Sequence, residues 1–143
     1  MRKEYWIVLS IFLVVILALI TMATQPANVL GVPNTVTTTD INDSTSGVAQ
    51  IIAAGSGSQL IYVTHYHIMA AGTVNMSWVY GTGSNCVTNQ NTIDGPIPLI
   101  AQTGISARAG LGAILSIPAG NALCLNTDQS VQVGGAISWA YGN

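Results

Sequence analysis

Side chains able to do chemistry are scarce in this chain, and their spacing limits what they can do. His65 and His67 are its only histidines. Two positions apart on a strand, they face the same way, so together they could offer two nitrogen ligands to a metal. Two ligands do not complete a coordination shell. A twofold or threefold subunit axis would have to supply the others from neighbouring copies, and only there do His65 and His67 stand as candidate ligands. The simpler reading is local hydrogen bonding on a polar or inter-subunit face.

Cys86 and Cys124 are the only cysteines. In an oxidising compartment an even count favours a disulfide, and closing a loop of about 38 residues would restrict the unfolded chain by ~4 kcal/mol. The alternative is a pair of buried free thiols; structural zinc wants four ligands at short spacings. Catalysis finds no pattern to support it. The serines lie in Gly-Ser turns, without a paired base or a nucleophile-elbow motif. Asp40, Asp43, Asp94 and Asp128 are scattered across turns, and the only glutamate is Glu4, at the N-terminus. Gly81-Thr82-Gly83-Ser84 lacks the Lys-Ser/Thr that a phosphate loop needs. The expectation is a non-enzyme with no catalytic residues, no cofactor-binding residues and no cofactor. Asn42-Asp43-Ser44 and Asn75-Met76-Ser77 are glycosylation sequons, the second inside an expected strand.

Those few residues sit in an unusual background. Lys and Arg number 3 and Asp and Glu 5, so 6% of 143 residues are charged, against roughly 25% in an average soluble protein. With no basic cluster there is nothing to neutralise phosphates, which excludes nucleic acid as a partner. An apolar fraction of 50% excludes a disordered chain. From residue 24 onward Arg108 is the only positive side chain. A hydrated but nearly uncharged surface gives up electrostatic repulsion as a guard against self-association, which suits a subunit packed among copies of itself.

Arg2 and Lys3 precede an apolar run from Tyr5 to Met22, interrupted only by Ser10 and Thr21. As a helix these 18 residues would span ~27 Å, close to the ~30 Å hydrocarbon core of a bilayer. One reading is a cleavable signal peptide leaving at Thr21-Met22-Ala23. The other, which the length of the run favours, is an uncleaved anchor. Tyr5 and Trp6 would then lie in the headgroup layer, with Ile7 to Leu17 and on to Met22 in lipid. In both, the basic residues keep the N-terminus cytoplasmic and the rest is exported.

The elements that must position the chemistry are strands. Residues 1–23 form the anchor or signal segment, and residues 24–47 read as an extended linker punctuated by Pro26 and Pro33. Within that linker, Thr35 to Thr39 is β-branched enough for an edge strand or more tether, and Ile41 to Gly47 is a turn cluster. Residues 48–143 then read as about eight strands separated by glycine-rich breaks: Val48–Ala53, Gln59–Met69, Thr73–Tyr80, Ile97–Ala101, Ile105–Ala107, Ala113–Ile117, Ala122–Asn126 and Ser130–Tyr141. In the third, Val74, Met76, Trp78 and Tyr80 share a face. In the last, Val131, Val133, Ile137, Trp139 and Tyr141 do. The expected fold is all-β, an antiparallel sandwich or jelly-roll-like domain behind a single N-terminal hydrophobic helix.

From Gln59 to Trp139 the chain resembles a group of small β-sandwich proteins encoded by bacteriophages, prophages and uncultured viruses. The resemblance is carried by Leu60-Ile61-Tyr62-Val63, Gly81-Thr82-Gly83-Ser84-Asn85-Cys86, Pro98-Leu99, Gly104-Ile105-Ser106 and Gly110-Leu111-Gly112. Its most specific stretch is Pro118-Ala119-Gly120-Asn121-Ala122-Leu123-Cys124-Leu125-Asn126, followed by Val131-Gln132-Val133-Gly134-Gly135. It implies a non-enzymatic virion component (a decoration, fibre, spike or membrane-anchored capsid-associated subunit) that self-associates and contacts other virion proteins. It also supports pairing of Cys86 with Cys124. The departure is the run from Tyr5 to Met22, which would fit a virion with a lipid layer. Two rivals share the plan. One is a pilin-like filament subunit with helices in the core, although Arg2-Lys3-Glu4 lacks the small residue expected at a prepilin cleavage site. The other is an adhesive module on a cell envelope.

Overall fold

Alternation along two strands sets the core. In the strand Val74–Thr82, Val74, Met76 and Trp78 are buried on one face; in Val133–Gly142, Val133 and Ile137 are, with Trp139 and Tyr141 packed beside them. The computed structural model describes residues 35–110 and 112–142. The expected membrane segment 5–22 lies outside them, and among the described residues no helix is long and apolar enough to cross a membrane.

Among the described residues nine strands follow in chain order: β1 Thr37–Asp43, β2 Gly47–Ile52, β3 Leu60–Ala70, β4 Val74–Thr82, β5 Thr88–Leu99, β6 Thr103–Arg108, β7 Leu115–Ile117, β8 Ala122–Thr127 and β9 Val133–Gly142. A 3-10 turn, Ser84–Cys86, separates β4 from β5. All pairings are antiparallel and form two sheets. The first has the order β1-β9-β3-β6, with the short β7 also on β3; the second has the order β2-β8-β4-β5. The pairs nest: β4 with β5, β3 with β6, β2 with β8, β1 with β9.

The sheets face each other across one hydrophobic core. Ile61, Val63, Tyr66, Ile68, Ile117, Val133 and Ile137 come from the first sheet, and Met76, Trp78, Leu99, Leu123 and Leu125 from the second. Each large side chain so buried contributes roughly 1.5–3 kcal/mol. Tyr66 and Trp78 meet edge to face with ring centroids 5.3 Å apart, and the Tyr66 hydroxyl donates to Asp94 Oδ2 at 3.2 Å, tying β3 to β5.

The register of β3 slips once against β9, between Val63 and His65. The extra residue changes the inward set from Ile61 and Val63 to Tyr66, Ile68 and Ala70. His65, His67 and Met69 consequently share the outer face. At the neighbouring position on β9, Gly135 admits no side chain, because a Cβ there would collide with the His67 carbonyl oxygen.

Two expectations change. Residues 37–43, read as part of the 24–47 linker, are strand β1. Thr37, Thr39, Ile41 and Asp43 lie on the face of Trp139, Ile137, Gly135 and Val133, and Ile41 is buried. The turn cluster shrinks to Ser44–Ser46, where Asp43 Oδ1 accepts bonds from the Thr45 backbone N–H at 3.0 Å and hydroxyl at 2.8 Å. The sheets therefore begin near residue 37, ahead of 48. The strand expected at Ile97–Ala101 is instead the end of β5, which starts at Thr88. Its first half is polar and exposed at a sheet edge, so it carries no apolar alternation to read. Pro96 and Pro98 lie on this edge strand, where a missing N–H is tolerated.

Candidate functional site: the open face of the first sheet

The outer face of the first sheet gathers both histidines, Ser106, Arg108 and Asp40. Cross-strand register sets them in rows running β1, β9, β3, β6: Thr38–Ser138–His65–Arg108, then Asp40–Ala136–His67–Ser106, then Asn42–Gly134–Met69–Gly104. The two imidazoles are adjacent, with ring centroids 5.8 Å apart. Ser106 Oγ lies 3.4 Å from His65 Nε2, and the Thr38 and Ser138 hydroxyls are 3.2 Å apart. Arg108 and Asp40 occupy opposite edges, three strand spacings or about 14 Å apart.

Below the histidines the face opens into an apolar groove of about 420 Å3, lined by residues that include His67, Met69, Gln132, Gly134 and Gly135. Gly134 supplies its floor, and Met69, 58% exposed, stands as its wall.

What this arrangement can do chemically is narrow. A serine–histidine pair becomes nucleophilic when a carboxylate orients the imidazole; here three of the four aspartates are engaged elsewhere. Asp43 caps the β1–β2 turn, Asp94 accepts the Tyr66 hydroxyl, and Asp128 accepts the Asn75 backbone N–H at 2.8 Å and its side-chain amide at 2.7 Å. Asp40 sits on β1, with β9 between it and the histidines. Among the described residues no three or more His, Cys, Asp or Glu side chains cluster to hold a metal. His65 and His67 thus offer two ligands per chain and no more.

Among the described residues two ionisable groups are perturbed for structural reasons. Burial pushes the Tyr66 hydroxyl up from its ordinary value, and the negative charge of Asp94 adds to it. The Asn75 side-chain amide, then its backbone N–H, hold the Asp128 carboxyl below the usual carboxylate range. Asn75 and Asp128 line a second groove of about 580 Å3 at the end of the sheets, its lining mixed polar and apolar, with Ser46, Thr73, Gln129 and Ser130 beside Val74 and Val131. The Asn75 amide nitrogen of the second sequon is therefore already donated within the fold, and the Asn42 side chain accepts from Gln132 Nε2 at 2.8 Å.

The outer face of the second sheet is built differently. Cys86 and Cys124 are disulfide-bonded, with Cα atoms 6.4 Å apart. The bond draws the 3-10 turn down over β8 and β4, where Val79, Ala122 and the two cysteines form a small buried cluster with Val48 against it. Asn85 Oδ1 accepts the Gln50 N–H at 3.2 Å, fixing the turn to β2 as well. Gly81 is required beneath it: a Cβ would come within 2.8 Å of the Cys86 carbonyl oxygen.

Sequence reasoning found the histidines and the cysteines but not Ser106, Arg108, Met69 or Gly134 as neighbours of the histidines. Strand alternation said which of these point the same way; only the β3–β6 and β3–β9 pairings bring them together. No protein-family model, curated protein or solved structure matches this chain. Fold and face together define an all-β sandwich with one outer face partly covered by a disulfide-held turn and the other open.

Proposed function

We propose that the chain is a non-enzymatic building block, a structural virion subunit that works by self-assembly and attachment. The observation that carries this is the open face of the first sheet: four strands wide, charged only at its edges by Arg108 and Asp40, and grooved, on a domain whose other outer face is partly covered by the disulfide-held turn. A monomer would be expected to spread charge over such a surface. The nested strand pairing supports the reading. With the short β7 set aside, eight strands pair first with last, second with seventh, third with sixth and fourth with fifth, the double-sheet jelly roll used in viral capsid proteins and lectins. Since that architecture hosts many functions, the surface carries more weight than the fold.

In this reading residues 5–22 anchor the subunit in a lipid layer, the β-domain lies on the extracytoplasmic side or virion exterior, and its partners are other copies, lipid and neighbouring virion proteins. N-terminal sequencing and negative-stain imaging of native material test it. The expected result is the intact N-terminus in a particle; filaments would favour the pilin-like plan. A free monomer starting at Thr24 would overturn the proposal.

A further inference from the structure

We infer that the open face of the first sheet pairs with the same face of a second copy, through a twofold axis lying in the interface along the strands. This rests on the reading of the chain as a self-assembling subunit and names the surface that reading needs.

The face is complementary to itself under that one operation. Sheets packed face to face align their strands to within about 30° at a separation of about 10 Å. A twofold axis along the strands exchanges left and right across the sheet while keeping each row at its level. The order β1-β9-β3-β6 then meets its own reverse: β6 lies over β1 of the partner subunit, and β3 over its β9. At the third row, Met69 lands over the partner's Gly134, a protruding side chain over the floor of the groove. At the second row, His67 lies over the partner's Ala136. At the edges Arg108, the only cation among the described residues, comes over the strand that carries the partner's Asp40, one row apart along the strands. Both the shape match and the charge match occur twice by symmetry. The other in-plane axis, across the strands, would set β1 over β1 and β6 over β6, so that Arg108 and the partner's Asp40 would lie at opposite edges. The second sheet cannot take this part, because the disulfide-held turn stands on its outer face.

The test uses the full chain in detergent, with mass read by analytical ultracentrifugation, and four variants: Met69→Glu, Arg108→Asp, Asp40→Arg, and the last two combined. Met69, Arg108 and Asp40 are all exposed, so near-UV circular dichroism and the melting temperature should match the parent. Met69→Glu and each single charge reversal should weaken association by about tenfold or more, and the double reversal should restore it to within about threefold. Restoration is diagnostic, because within one chain the two residues are on opposite edges of the sheet. A parent that associates alongside equally associated Met69→Glu and single-reversal variants would overturn this interface while leaving the self-assembling subunit intact. A parent that stays monomeric would overturn both. Single reversals that weaken association without rescue by the double would overturn the axis proposed.

Discussion

The two outer faces of this sandwich start from the same alternation and end differently. On the second sheet, an apolar patch of Val79, Ala122 and Cys124 is closed from above by the Ser84–Cys86 turn and bolted by a disulfide. On the first, His67, Met69 and Arg108 stand in the open around a glycine-floored groove, with His65 half-buried beside them. The difference teaches where one domain stores stability and where it keeps a surface in reserve. A residue on the covered side should matter to folding, and one on the open side to contacts with other molecules.

Perturbing the covered face should have the largest effect. Replacing Cys86 and Cys124 with serine should lower unfolding free energy by about 2–5 kcal/mol, read as a drop in the urea midpoint. It should also release the turn and expose Val79 and Val48, so the two faces would become alike. Gly81→Val should cost about 1–3 kcal/mol by forcing the turn away from β4, detected by thermal melting with the disulfide intact.

Between the faces lies the Tyr66–Asp94 tie. Tyr66→Phe should cost about 1 kcal/mol at neutral pH. Because the folded-state pKa of Tyr66 is raised, its share of stability is complete below the ordinary value of 10.0 and is lost as pH rises beyond it. The phenylalanine variant should therefore show a flatter alkaline limb in denaturation midpoint against pH. Asp128 has the opposite sign. Its lowered pKa gives a contribution present above the ordinary 3.8 and lost as pH falls through the folded value. Asp128→Asn should show a shallower acid limb in the same titration.

The smallest effect is expected on the open face. His67→Ala and Met69→Ser should change unfolding free energy by no more than about 0.5 kcal/mol, measured on dilute protein. A loss comparable to that of the disulfide would erase the distinction between the faces.

Much of the β-domain is legible in the sequence. Val74, Met76 and Trp78, and Val133 and Ile137, declare their inward faces because burial on one side of a strand demands period two. The cysteines are paired, as their even count favours. β1 was obscured because Thr37 to Asp43 is mostly polar and owes its place to seven residue pairs with β9, a partner almost a hundred positions away. The slip at Thr64 was invisible for a similar reason: an extra residue shows only against the neighbouring strand. The candidate face was half legible. The spacing of His65 and His67 put both on one side. That the side looks outward, and that Arg108, Ser106 and Gly134 join it, depends on long-range register, which local patterns do not encode.

The nesting of the strands has a mechanical corollary. Thr37 at the start of β1 pairs with Trp139, three residues before Gly142 at the end of β9. The first strand therefore begins and the last strand ends at the same pole. A load applied between those two points would part the β1–β9 ladder rung by rung, as a zipper opens, without shearing all seven pairs at once. Any cargo joined after β9 would depart from the pole where β1 begins, across the length of the sheets from Ser46, Asn75 and Asp128.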